Sequence, residues 1–203
     1  MKRTALFICL IALAAFGCAD PAADKPQAEV EAPAPTPEPV ATGTTLPLSA
    51  ESKIDFIGSK VTGSHEGGFE GFTGSVTLVD NDPTQSSVSL SIDTTSVWSD
   101  NDNLTGHLKS EDFFDVAKFP ESTFESTEIR QEAEGYTIVG NLNLHGVTKS
   151  ISFPATIDVA DGMVKANAEF AIKRFDFGIV YKGKPDDLIK DDVLIKLDLK
   201  LGG

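Results

Sequence analysis

The residue types that carry catalytic or metal chemistry are few in this 203-residue chain, and they are spaced poorly for it. His65, His107 and His145 are of the type that ligates zinc or passes a proton. They lie far apart in sequence and near loops or strand ends, where a solvated or hydrogen-bonded ring is the ordinary role. There is no HExxH pair, no GxSxG elbow, no phosphate loop and no GxGxxG turn. Asp100-Asn101-Asp102 begins as a calcium loop does, but the remaining ligand positions of an EF-hand are missing. It reads instead as the N-cap of a short helix. Asp186-Asp187 and Asp191-Asp192 read as solvated loop charges. Cys9 and Cys18 are the only thiols, and Cys9 lies in the apolar leader, which leaves no disulfide, CxxC pair or thiolate metal site for the folded part. No nucleophile stands beside a base. The expectation is a binder rather than an enzyme, with no catalytic residue, no metal and no cofactor.

The residues that do stand out are aromatic. In His107-Leu-Lys-Ser-Glu-Asp-Phe-Phe-Asp-Val-Ala-Lys-Phe-Pro120, three rings (Phe113, Phe114, Phe119) sit among charges just before a proline. So much aromatic area in a connector must fold back and bury itself, as a lid or plug or simply as the cap of a core. A second cluster pairs Lys173 and Arg174 with Phe175 and Phe177 near a strand end. There a cation can meet a polar head while rings line an apolar tail. Equally, Arg174 can pair with Asp176 or Asp112 and hold a loop.

Strands must position these groups. Apolar and polar residues alternate around Ile54–Phe56, Val76–Leu78, Val88–Ile92, Tyr136–His145, Ile151–Val159, Val164–Lys173 and Val193–Leu201. With Thr123–Ile129 this makes eight strands. Glu134-Gly135, His145-Gly146 and Asp161-Gly162 are short turns that favour antiparallel hairpins. Glycines 67, 68, 71 and 74 suggest bends or bulges where a long strand turns a corner. One short helical stretch is expected between Asn101 and Phe114. One apolar face on each of eight strands suits a closed barrel and equally a two-sheet sandwich. The inward rows carry Phe56, Ile138, Leu142, Phe153 and Phe170, mixed with small residues at Gly140, Ala155, Ala166 and Ala168. Those small residues are expected to leave room for a linear chain.

Four stretches together resemble the YceI-like family of lipid- and polyisoprenoid-binding proteins. They are His107–Pro120 with Ser122-Thr-Phe124, Gly140-Asn-Leu-Asn-Leu-His-Gly-Val-Thr-Lys149, Lys173-Arg-Phe-Asp-Phe-Gly-Ile179, and Asp192–Leu199. The resemblance runs from about Leu46 to Leu201. It implies an all-β, eight-stranded antiparallel lipocalin-like barrel with one or two short helices. It also implies a long-chain isoprenoid or related amphiphile as the guest, carried or sequestered in the cell envelope. The expected lining is Phe56, Phe113, Phe114, Phe119, Ile138, Leu142, Phe153, Ala166, Ala168, Phe170, Arg174 and Phe177. The alternative is a structural or interaction domain with a filled core and no ligand. A homodimer is left open.

The ends of the chain point to export. Met1-Lys-Arg is basic, and Ala5–Phe16 is an apolar run of 12 residues, too short for a membrane-spanning helix and of h-region length. Gly17-Cys18 then matches a lipoprotein processing site, so residues 1–17 are expected to be a signal peptide and Cys18 the lipidated N-terminus. An ordinary secretion signal cut near Ala22-Ala23 is the alternative. Residues 18–45 hold six of the eleven prolines and read as a tether without sheet or helix, able to extend ~3 Å per residue. Residues 46–203 have the length of one domain. Losing residues 1–17 removes two positive charges, Lys2 and Arg3, and no acid, which moves the net charge from −14 to −16. Such a surface repels phosphate backbones, so nucleic acid is excluded as a partner. The expected location is the periplasmic side of a membrane, held there by Cys18.

Overall fold

Strands with one apolar face each can remove those faces from water together only if the sheet curls around them. The computed structural model describes residues 20–35 and 42–202, and in it the sheet does curl. Among the described residues there are thirteen strands: β1 (Glu29–Glu31), β2 (Thr44–Pro47), β3 (Lys53–Lys60), β4 (Gly63–Phe69), β5 (Phe72–Val79), β6 (Asp82–Asp93), β7 (Val97–Ser99), β8 (Glu121–Gln131), β9 (Tyr136–Leu144), β10 (Val147–Ala160), β11 (Met163–Lys173), β12 (Gly183–Lys184) and β13 (Asp187–Leu201). The one α-helix among the described residues, α1 (Asp102–Leu108), is capped by Asn101, whose side chain accepts from the Leu104 N–H at 3.0 Å.

The main path of the sheet is β2-β5-β6-β8-β9-β10-β11-β13-β3-β4-β7, and every ladder between named strands is antiparallel. Eleven strands on this path replace the eight expected. The excess has two sources. The glycine-rich stretch is divided at Glu70-Gly71 into β4, which pairs with β3, and β5, which pairs with β6. Short strands β2 and β7 add to its flanks. The hairpins follow turn chemistry. His145-Gly146 (φ 53° and 74°) and Asp161-Gly162 (φ 53° and 73°) both take the left-handed pair of a type I′ turn, as does Asp80-Asn81 (φ 50° and 59°).

Inward glycines do not widen the interior. A Cβ on Gly140 would lie 2.4 Å from Cζ of Phe124, and one on Gly67 would lie 2.6 Å from Cζ of Phe56. Each glycine is the seat of a cross-strand ring, so the space expected at Gly140 is already filled.

The expected tether is also different. Residues 20–35 lie on the sheet. The β10–β11 ladder runs only from Ala160↔Met163 to Thr156↔Asn167. It ends two residues from Pro154, which has no N–H to extend a ladder. Beyond that point the strands part, and the N-terminal segment fills the fork. The Ala28 N–H donates to the Ala171 carbonyl and the Ala171 N–H to the Pro26 carbonyl, both at 2.8 Å. Val30 pairs with Ile151 of β10. Ala28 joins the main core and Val30 packs against it. Outside the wall, Ala22 covers Ala171 and Leu194. Proline count hid this strand. Between Pro26 and Pro33 the run Gln-Ala-Glu-Val-Glu-Ala is proline-free and alternates with period two. Residues 1–19, including Cys18 and the apolar leader, lie outside the described residues.

Candidate functional site

The inward faces enclose an apolar cavity of about 240 Å³. An engineered cavity of about 150 Å³ already admits benzene. Its wall includes Phe56, Ile138, Leu142, Phe153, Ala155, Ala166, Ala168 and Phe170, so the strand alternation has the right phase. Phe153 and Phe170 stack face to face across the β10–β11 fork, with centroids 4.1 Å apart. The sequence reading omitted Leu90, Ile172, Ile195, Leu197 and Leu199, which line the same cavity. The alternation that selected their neighbours would have found them.

One end is closed by α1 and the turns after it. Leu108, Phe113 and Phe114 reach the cavity. Phe114 meets Phe69 edge-on at 5.5 Å, and Phe69 meets Phe56 at 5.9 Å. Phe113 packs on Tyr181 at 5.5 Å, and His107 stands edge-on to both. This aromatic plug joins residues some 70 positions apart, so Tyr181 had no signal in the local pattern. The other end reaches Pro83, Ser86 and Val159.

Three expected lining residues do other work. Phe119 lies outside the cavity, against His145 and Gly146. Phe177 is fully buried behind the wall rather than on it. Arg174 reaches the cavity's edge, but the residue is only 4 % exposed and its guanidinium is already engaged. Its Nε donates to Lys190 O (2.9 Å), Nη1 to Ile179 O (2.7 Å) and Nη2 to Ile189 O (3.3 Å). These partners are backbone carbonyls rather than the carboxylates of Asp112 or Asp176. Burial pushes this guanidinium below its ordinary value, and the Asp191 carboxylate opposes that shift.

Three further polar side chains on the wall also have partners, while the fourth, Asn167, is exposed to solvent. Ser122 donates to Asn143 O (2.6 Å), Ser86 to Asp82 O (2.7 Å), and Lys190 pairs with Asp20 (2.6 Å). The histidines have separate local partners: His65 with Asp100, His107 with Asp112, and His145 with the Phe177 carbonyl. Among the described residues, no three His, Cys, Asp or Glu side chains are grouped to hold a metal ion.

A curled antiparallel sheet around an apolar interior, plugged by an aromatic segment, defines an all-β cavity protein. Residues 48–201 match the YceI-like domain, and the chain belongs to that family. It is 43 % identical over 91 residues to a UPF0312 protein of Yersinia enterocolitica, covering 45 % of this chain and 47 % of the relative. The chain thus spans about half the length of the curated relatives it matches. Among solved structures it is similar to BcnA of Burkholderia cenocepacia (TM-score 0.66, 22 % identity, 75 % of this chain and 98 % of that one). It is also similar to a polyisoprenoid binding domain from Saccharophagus degradans implicated in plant cell wall breakdown (TM-score 0.64, 17 % identity, 80 % and 99 %). A YceI protein of Campylobacter jejuni is a further neighbour (TM-score 0.53, 24 % identity, 65 % and 83 %). At these identities the structural likenesses establish the fold.

Proposed function

We propose that this domain binds one long-chain isoprenoid or related amphiphile, tail in the cavity and polar head outside it, and carries or sequesters it in the cell envelope. The carrying observation is the unfilled apolar interior, where Ser86, Ser122, Arg174 and Lys190 already have partners and Asn167 faces solvent. Such a lining rewards a hydrocarbon chain by ~25 cal/mol per Å² removed from water. It offers no unpaired group for a buried head, whose desolvation would cost ~1–3 kcal/mol. Closure supports the same reading. β13 pairs with β3, and β4 continues into β5 through the bend at Glu70-Gly71, so the order β3-β4/β5-β6-β8-β9-β10-β11-β13 is compatible with a sheet that closes around a guest. The S. degradans neighbour is a polyisoprenoid binding domain, which points in the same direction. No nucleophile–base pair lines the wall, which favours carriage over catalysis. Mass spectrometry of an organic extract of the natively purified protein should show a long-chain lipid in near-stoichiometric amount. An extract without lipid, and no uptake of retinol as a C20 isoprenoid probe, would refute the reading.

Lipidation at Cys18 is part of the proposal, motivated by the leader and Gly17-Cys18. Cys18→Ser should move the protein from the membrane to the soluble fraction; a wild-type protein that is already soluble would rule the anchor out.

A further inference from the structure

The N-terminal segment reaches the barrel much sooner than a spacer would. The Asp20 carboxylate accepts from Lys190 Nζ (2.6 Å) of β13 and from the Ser59 hydroxyl (3.5 Å) of β3. Lys25 pairs with Glu169, and Ala28 enters the wall. Cys18 is two residues before Asp20, and two extended residues span at most ~7 Å. An anchor at Cys18 therefore brings one particular end of the barrel onto the bilayer.

That end carries most of the large apolar side chains that the described residues leave in water. Among them Val61 (63 % exposed), Val180 (59 %), Leu188 (47 %) and Phe175 are four of five; the fifth, Met163, lies at the opposite end of β11. They form one rim. The Val61 N–H donates to Leu188 O (3.1 Å), and Lys60 pairs with Asp187. Arg174 binds the carbonyls of Ile179 and Ile189, the neighbours of Val180 and Leu188. Residues 173–192 carry five basic and five acidic side chains, so this face is locally neutral in a chain of net charge −14. Anionic headgroups repel such a segment less than they repel the chain as a whole. Tyr181, next to Val180, packs on Phe113 of the plug, so the covered mouth opens beside the same rim.

We infer that Val61, Val180 and Leu188 form a membrane-docking rim that seats the plugged mouth of the barrel on the bilayer to which Cys18 is attached. This rests on the lipid anchor proposed above. The rim reaches into the headgroup–acyl boundary, and a guest leaving past Phe113 and Phe114 enters the membrane instead of water.

The test uses the full lipidated chain in phosphatidylcholine vesicles whose acyl chains carry bromine, a tryptophan quencher. Trp98→Phe removes the native indole. Val180→Trp in that background should lose about half of its emission, since interfacial side chains sit ~5–10 Å deep. Met163→Trp, at the far end, should keep its emission. Adding Val61→Asp and Leu188→Asp to Val180→Trp should restore emission while membrane attachment through Cys18 persists. Equal emission from positions 180 and 163 would overturn the docking rim and leave the anchor standing, and would turn attention to a protein partner at this face. If mass spectrometry finds Cys18 unmodified, the anchor reading falls and the docking rim falls with it. A melting curve of each variant separates lost docking from lost folding.

Discussion

Replacing Arg174 by methionine is expected to lower the melting temperature of the domain by roughly 6–12 °C. The guanidinium is buried, and its donors satisfy the carbonyls of Ile179, Ile189 and Lys190. Hydrogen bonds from a charged donor contribute about 1.5–3 kcal/mol each, and stranding buried carbonyls adds desolvation cost, so a total of about 3 kcal/mol is a low estimate. Methionine keeps the apolar stem but makes none of these bonds. The loss should fall on the loop between the 3₁₀ turn Arg174–Phe177 and β13, because three of the bonds that tie one to the other come from Arg174. Arg174→Lys should rescue only part of the loss, since an ammonium cannot reproduce the fork. Below the melting transition, Arg174→Met should weaken binding of a phosphorylated polyprenol and of its neutral alcohol by the same factor. Thermal denaturation monitored by circular dichroism measures the first claim. A shift under 2 °C, or a selective loss of the phosphorylated ligand, would show that this arginine binds heads instead of holding the scaffold.

The second large effect concerns the cavity. Ala168 lies on its wall, opposite Leu197 of β13 and two residues from Phe170. Ala168→Trp places an indole where the guest would run. If the space is a binding tunnel, the variant should keep its fold and lose at least about tenfold of the lipid recovered by extraction. Its melting temperature should change little, since the indole gains the apolar contacts the guest would have made. In a core already filled to native density the same substitution would overpack and cost ~1–3 kcal/mol or more. Strong destabilisation, together with a wild-type protein that carries no lipid, would favour the filled-core alternative. Measuring lipid content and melting temperature on one preparation separates the two readings.

These two residues also mark where sequence reading succeeds and stops. Ala168 and its row were legible, because a strand's side chains alternate by geometry and burial demands an apolar face. The same logic placed Phe56, Ile138, Leu142, Phe153 and Phe170 inward. Local chemistry set the left-handed turns at His145-Gly146 and Asp161-Gly162, the cap at Asn101 and the burial of Phe113 and Phe114. Arg174 looked like a ligand-binding cation because its neighbours in sequence are two phenylalanines and an aspartate. Its actual partners are carbonyls 5 to 16 residues further along, brought close by a loop that doubles back on β13. Gly140 looked like empty space, yet a ring from β8 occupies it. The N-terminal segment looked like a spacer by composition. It becomes part of the wall because β10 and β11 part near Pro154 and leave backbone groups that require partners. The sequence by itself determined the strands, their inward faces and most of their turns, because those depend on residues within a few positions of each other. Only the tertiary structure decided which inward space is empty, which buried cation is already satisfied and that Asp20 is tied to the barrel, because each depends on partners distant in the chain.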